Sequence, residues 1–309
     1  MSSEIQKAYK YCEKVTRHYA KSFYFAAKFL PKDKQPAVYA LYALCRHLDN
    51  EVDDAEVKDS VAAIKAVEIW KSKLISNAKA QSDMDAKKID DKTNPKFKIQ
   101  NSKSMDLVLL AWTDTLTKYN IPKKLPLELM EGVLMDTHIK RYETFDELYV
   151  YCYRVASTVG LMSSEILGYS KPEALDYAEA LGIAMQLTNI LRDIREDSEM
   201  GRIYLPQEDL RRFKVTEQQI FEQRLDENFV NLMKFETKRA RQFYQKAELG
   251  IPMLEKNSRF GVLLASRIYS RILDEIERQN YDIFTNRAHT TTRQKMLSIP
   301  QIWFEARSL

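Results

Sequence analysis

Residues 182–206 read GIAMQLTNILRDIREDSEMGRIYLP, and the pattern is helical. At about 100° per residue, Asn189, Asp193 and Asp197 fall at successive i, i+4 steps, each about 40° round from the last. Three oxygen-bearing side chains therefore share one stripe, with Gly182, Met185 and Gln186 near its start. Arg192 and Arg195 flank the acids, and Gly201 and Pro206 mark the end of the helix. A face that is small at one end and acidic at the other needs a polar, metal-bound partner.

A second acidic helix lies about 140 residues earlier in the chain. Val38, Leu41, Cys45, Leu48 and Val52 repeat at three- and four-residue spacing and form its apolar stripe. With Cys45 as zero, Asp49 sits near +40°, Asp53 near +80° and Arg46 near +100°, roughly along one edge of that stripe. Either acidic run alone reads equally well as a solvated helix end. Together, facing each other in a bundle, they make a cage of oxygen ligands suited to Mg²⁺, which keeps positions for water and phosphate oxygens. Histidine and cysteine ligands at metal spacing are absent, which argues against zinc. Arginine beside such a cage binds phosphate through its planar fork. The inferred ligand is a diphosphate on Mg²⁺, with an apolar cavity for a greasy chain.

The 309 residues hold only seven glycines and nine prolines against 45% hydrophobic and 30% charged residues. That balance predicts an all-α, single-domain helical bundle over residues 1–309 with a central cavity. Net charge is +4, and the positive excess lies in the C-terminal third. It suits an anionic ligand or a membrane surface and is too diffuse for nucleic acid. Cys12, Cys45 and Cys152 show no ligand or disulfide spacing and read as reduced thiols of a cytoplasmic protein. No apolar stretch reaches membrane-spanning length, so contact with a membrane is at most peripheral; Trp303 and Phe304 either touch lipid or pack back onto the bundle.

Helical periodicity predicts elements over 4–29, from Pro36 through the LDNEVDD run, and over 105–119, 126–142, 145–167, 172–199, 216–228, 229–249 and 260–280, with an irregular tail. Residues 80–104 are polar and lysine-rich and read as a mobile loop between helices. The four histidines share no ligand spacing and receive no role.

At these residues the chain resembles the phytoene, dehydrosqualene and squalene synthases, the trans-prenyltransferases that join two prenyl diphosphates head to head. YALYALCRHLDNEVDD at 39–54, YCYRVASTVGLM at 151–162 and QLTNILRDIREDSEMGRIYLP at 186–206 carry the resemblance. AKSFYFAAKFLP at 20–31 and RIYSRILDEIERQNYDIF at 267–284 extend it. The resemblance implies an isoprenoid-synthase bundle in which Asp49 and Asp53 on one helix, and Asn189, Asp193 and Asp197 on the other, ligate Mg²⁺, with Mn²⁺ as a substitute. Ser22, Tyr42, Arg46, Gln186, Arg192 and Tyr269 fall where the family contacts diphosphates or reacting allylic ends. Tyr151 and Tyr269 are the tyrosines placed to act on the reacting carbons; for Tyr42, Tyr151 and Tyr269 the alternative is a core tyrosine with a satisfied hydroxyl. Asn50, Ala20, Ser157 and Arg195 depart from the common pattern without deleting a ligand, and Arg195 is expected at solvent or in a salt bridge.

The resemblance also implies a two-stage reaction through a cyclopropylcarbinyl diphosphate. Phe23 and Ala27 lie one turn apart, and the small Ala27 leaves depth for a twenty-carbon tail unless Tyr39 narrows the space. Two geranylgeranyl diphosphates giving phytoene is therefore the leading reading. Farnesyl-using dehydrosqualene, presqualene diphosphate or squalene synthesis is the alternative, with NADPH needed only for squalene. A class I terpene cyclase and a scaffold protein without chemistry remain as competing readings. The protein is expected to be a monomer or homodimer.

Overall fold

In the computed structural model, residues 3–53, 60–82 and 99–309 are described, and all regular structure among them is helical apart from two isolated β-bridges. Helix α1 (Ser3–Tyr19) buries Ala8, Tyr9, Cys12, Val15 and Thr16, a stripe at three- and four-residue spacing. The chain breaks at Ala20 into the short α2 (Lys21–Ala27), so the single helix expected over 4–29 is two. Helix α3 (Gln35–Asp53) follows, then α4 (Ser60–Ser82) and α5 (Ile99–Lys118). The expected loop at 80–104 is thus helical at both ends; residues 83–98 lie outside the described residues. Trp70 of α4 and Trp112 of α5 are fully buried among Val38, Leu41, Leu44 and Leu48 of α3, the stripe read from the sequence.

The second half is built on α9 (Ala174–Arg192), which packs between α13 (Glu227–Glu248) and α14 (Lys256–Arg278) around Leu187, Phe229, Met233 and Ile272. Helix α6 (Lys124–Met135) and the pair α7 (Phe145–Cys152) and α8 (Thr158–Leu167) link the halves. One π-helical turn, Tyr153–Ser157, joins α7 to α8, so the element expected over 145–167 is interrupted in the middle of its motif. The turn lies against α9 at Gly182, where a Cβ would come within 2.4 Å of the Ser157 Cα. One turn earlier on α9, Gly160 of α8 approaches the Ala178 carbonyl just as closely. Glycine is required at both positions by contact with backbone. Ser157, the departure noted in the sequence, sits inside this seam and donates to the Glu179 carbonyl at 2.8 Å.

The acidic helix is also bent. Helix α9 ends at Arg192, Asp193 leaves helical geometry (φ −107°, ψ 14°) and α10 (Ile194–Glu199) resumes, while the Asp193 and Asp197 amides still donate four residues back. Gly201, at φ 74°, stops α10. Short helices α11 (Gln207–Arg212) and α12 (Glu217–Phe221) follow, the latter much shorter than the helix expected over 216–228. The tail is not irregular: α15 (Thr292–Ser308) opens with a capping box of Thr291 and Gln294 and packs on α14. Pro300 is tolerated because the carbonyl it leaves without a donor belongs to exposed Met296, within reach of water. Cys12, Cys45 and Cys152 are free thiols.

One charged cluster is largely buried. Arg239 of α13 donates to both oxygens of Glu236 and to Asp209 Oδ2, each at 2.8 Å, and is packed between the rings of Phe145 and Phe235. Burial, with Asp209 alongside, pushes the Glu236 carboxyl up to about 8. Arg239→Met leaves the buried Asp209 carboxylate without its cation and Glu236 without its donor, and is expected to cost about 3–5 kcal/mol in denaturant unfolding. Because folded Glu236 holds its proton more tightly than an unfolded glutamate, its contribution to stability is full below about pH 4.3 and is lost as pH rises through about 8. Glu236→Gln should flatten the stability–pH profile across that window; an unchanged slope refutes the assignment.

Candidate active site

A cavity of about 1110 Å³ runs between the halves, bounded by α2, α3, α8, α9 and α14. Ser22, Tyr42, Arg46, Asp49, Tyr151, Gln186, Asn189, Arg192, Asp193, Asp197 and Tyr269 all line it. Of the residues expected from sequence only Asp53 cannot be placed: it ends α3, and its side chain lies outside the described residues. The cavity thus brings together residues from α2, α3, α7, α9, α10 and α14 that are separated by up to 247 positions in the chain.

Its polar end is built by local geometry. Tyr269 of α14 donates to Asn189 Oδ1 at 2.6 Å, and the Asn189 amide donates to Gln186 Oε1 at 3.2 Å, which fixes that side chain's orientation. The kink at Asp193 turns its carboxylate to Arg192, which donates Nε to Oδ1 at 2.7 Å and Nη2 to Oδ2. Arg287, from the segment before α15, donates to the same Oδ1 at 2.7 Å and stands 3.5 Å from Glu196. Burial pushes the Asp193 carboxyl up, but these two guanidinium groups outweigh it and hold it below its usual value. Asp197 goes the other way: burial, with Asp193 nearby and Arg202 opposing, pushes it up to about 8. On α3, Arg46 lies over the Tyr19 ring, its Nε buried without a hydrogen bond, and Tyr42 stacks on Phe23 at 5.5 Å between centroids.

The donor set at this end is carboxylate and amide oxygen throughout, which suits Mg²⁺ or Mn²⁺. Among the described residues no three acids are already gathered as a closed metal cluster. Even so, a buried Asp197 that binds a proton at neutral pH beside a second carboxylate marks a place where a divalent cation relieves like-charge crowding.

Several lining residues were not singled out by sequence. Asp136, Arg202 and Tyr204 lie together beside Asp197, and Lys21, His289 and Lys295 also line the cavity. Burial, with Lys21 close by, lowers the Lys295 ammonium. Arg202 and Tyr204 stand within the RIYLP stretch already quoted; Asp136 and His289 lie between helices, and Lys21 and Lys295 are isolated positions at the start of α2 and in α15. His18 also lines the cavity, so two of the four histidines assigned no role are at the site. Arg195, as expected, pairs at the surface with Glu199 at 3.1 Å.

A family model for squalene/phytoene synthase matches residues 16–294. The chain belongs to the squalene/phytoene synthase family. It is a prenyltransferase family, and the match displaces the terpene cyclase and scaffold readings. The chain is 37% identical to a 15-cis-phytoene synthase of Synechocystis sp. over 99% of its own length and 88% of the relative's. Against phytoene synthase 2 of Solanum lycopersicum it is 36% identical, covering 99% and 92%. A solved dehydrosqualene synthase, in complex with a ligand, superposes with a TM-score of 0.83 at 30% identity over 99% of both chains.

If Asp197 carries a proton near neutral pH, metal binding must release it. Calorimetric titration of Mg²⁺ with inorganic diphosphate in two buffers of different ionisation enthalpy should show proton release at pH 7, with affinity rising as pH approaches about 8. Asp197→Asn should reduce the release to what diphosphate alone gives on binding Mg²⁺; release undiminished in this variant would remove Asp197 from the site.

Proposed function

We propose that the protein condenses two geranylgeranyl diphosphates head to head into phytoene, through a cyclopropylcarbinyl diphosphate and with loss of a final proton rather than reduction by NADPH. The observation that carries this reading is the shape of the cavity. Its volume exceeds the ~300–1,000 Å³ of ordinary small-molecule sites. Its apolar wall includes the small side chains of Ala27, Ala178 and Ala265 among larger ones such as Leu30, Val159 and Leu254. Tyr39, expected to narrow this end, packs against Tyr24 and does not line the cavity. The phytoene synthases among the relatives support the same chain length.

Depth decides between substrates. Five more buried carbons, at about 0.8 kcal/mol each, favour the twenty-carbon chain by about 4 kcal/mol wherever the wall admits them. In this reading Asp49, Asp53, Asn189, Asp193 and Asp197 hold Mg²⁺ or Mn²⁺, which neutralises the diphosphate as a leaving group. Arg46, Arg192 and Ser22 bind diphosphate oxygens, Gln186 and Tyr269 hold Asn189 in orientation, and Tyr42 and Tyr151 face the reacting carbons. The aliphatic wall excludes the water that would quench a cation.

The test is incubation of purified protein and Mg²⁺ with farnesyl or geranylgeranyl diphosphate, with and without NADPH, followed by mass analysis of the extract. A forty-carbon hydrocarbon formed without NADPH is expected; a thirty-carbon product overturns the chain length, and its dependence on NADPH separates squalene from dehydrosqualene. Ala27→Phe fills the deep end and should shift selectivity about tenfold or more toward the farnesyl chain. Unchanged use of the longer chain would refute the depth argument.

Substrate tails and product are lipids, and no helix among the described residues is long and apolar enough to cross a membrane. Met296, Leu297, Trp303 and Phe304 are exposed along α15 and provide a peripheral contact. Flotation with anionic vesicles should carry the protein upward, and Trp303→Ser with Phe304→Ser should leave it at the bottom. The protein acts as a monomer or homodimer, which light scattering distinguishes.

A further inference from the structure

Asp136 caps the C-terminus of α6 and lines the cavity. Its carboxylate accepts two phenol hydrogens: Tyr151 donates to Oδ2 at 3.0 Å and Tyr204 to Oδ1 at 2.7 Å. The two rings are stacked, 5.2 Å between centroids and 25° apart, and both line the cavity. Tyr142 lies against both, at 5.6 Å from Tyr151 and 6.0 Å from Tyr204, with its hydroxyl buried and without a hydrogen bond. Arg202 approaches Asp136 through the backbone, Nη2 to the carbonyl at 3.4 Å. Three elements distant in sequence thus converge on one carboxylate, and none of the sequence signals assigned it a role.

A phenol has one hydrogen to donate. When Tyr151 and Tyr204 both give theirs to Asp136, their oxygens offer only lone pairs in every other direction. Charge-assisted hydrogen bonds to a half-buried carboxylate also draw each O–H outward and leave the ring more electron-rich. The wall at this point therefore cannot donate a proton to an alkene and is electrostatically suited to a neighbouring carbocation.

We infer that Asp136 is a positioning residue for the coupling reaction: it orients and polarises Tyr151 and Tyr204 so that their electron-rich faces stabilise the cation rearranging after the second diphosphate has left. The inference rests on the proposed head-to-head reaction. In the first ionisation the departing diphosphate takes the electron pair of the C–O bond and remains as counterion. In the second, the C–O bond of the cyclopropylcarbinyl diphosphate breaks in the same sense, and positive charge then migrates along the carbon skeleton away from that anion. A fixed negative group behind two phenols acts on this later cation, so its loss affects the second stage more than the first.

The experiment compares Asp136→Asn, Tyr204→Phe, Tyr151→Phe and the Asp136→Asn/Tyr151→Phe double variant with the unmodified protein. Each is supplied with Mg²⁺ and both farnesyl and geranylgeranyl diphosphate; hydrocarbon, cyclopropylcarbinyl diphosphate, KM and the melting transition are measured. Asp136→Asn should lower the rate of hydrocarbon formation about 10–100-fold with KM unchanged, and the cyclopropyl intermediate should accumulate. Asp136→Asn should slow the Tyr151→Phe protein by less than it slows the unmodified one, because only Tyr204 then remains for Asp136 to act through. Tyr204→Phe, which keeps the carboxylate and its bond to Tyr151, should shift the same ratio in a folded protein. Wild-type product partition in Asp136→Asn, or slowing that multiplies in the double variant, overturns the inference. Should Asp136→Asn not fold, wild-type partition in Tyr204→Phe overturns it. Use of only the fifteen-carbon chain refutes the proposed substrate and leaves the comparison intact on that chain. Absence of any coupled product overturns the reaction and this role together.

Discussion

Helix α9 reaches the π-helical turn at Tyr153–Ser157 because residue 182 has no side chain, and the site depends on that approach. The turn lets the chain advance from α7 to α8 while Tyr151 stays on the cavity wall one turn before it. Gly182 lies one turn before Gln186 and two before Asn189, so the same contact sets the depth at which the acidic stripe enters the cavity. A methyl group there would have to displace backbone on the facing element, not a flexible side chain. The reacting wall and the acidic wall are therefore fixed relative to each other by one seam.

Much of this was readable in the sequence because the signals were periodic. The apolar stripe of α3 and the oxygen stripe of α9 and α10 follow helix geometry, and the structure gathers Arg46, Asp49, Asn189, Asp193 and Asp197 round one cavity. What periodicity could not show is where a helix bends while keeping its hydrogen-bond ladder. The kink at Asp193 and the π-helical turn after Cys152 both occur without proline or a change in hydrophobic pattern. The C-terminal helix, expected to be irregular, is opened by the Thr291–Gln294 capping box and continues through Pro300.

Residues missed at the site share a cause. Asp136 and Arg287 lie in turns between helices, and a single charge in a turn has no register against which to read it. Tyr204 was quoted within a motif, yet only the fold shows that it reaches the carboxylate that also holds Tyr151. Long-range pairs of this kind depend on how connecting segments return to the bundle. Here Gly201 turns the chain, and the Ile203 amide bonds to the Lys140 carbonyl, which carries Tyr204 back to the end of α6.

Arg192 and Arg287 on the Asp193 carboxylate give the acidic pole counterions of its own. In the proposed reading, a divalent cation loading there would exchange one positive partner for another and would not quench bare charge. The energy gained is a difference between two favourable states, which makes occupancy sensitive to what else the guanidinium groups can bind. A diphosphate arriving with the metal offers both arginines a new anion at the moment they release the old one. Substrate and cation would in this way enter together as a partly neutralised anion, with the protein's own ion pairs re-forming behind the departing product.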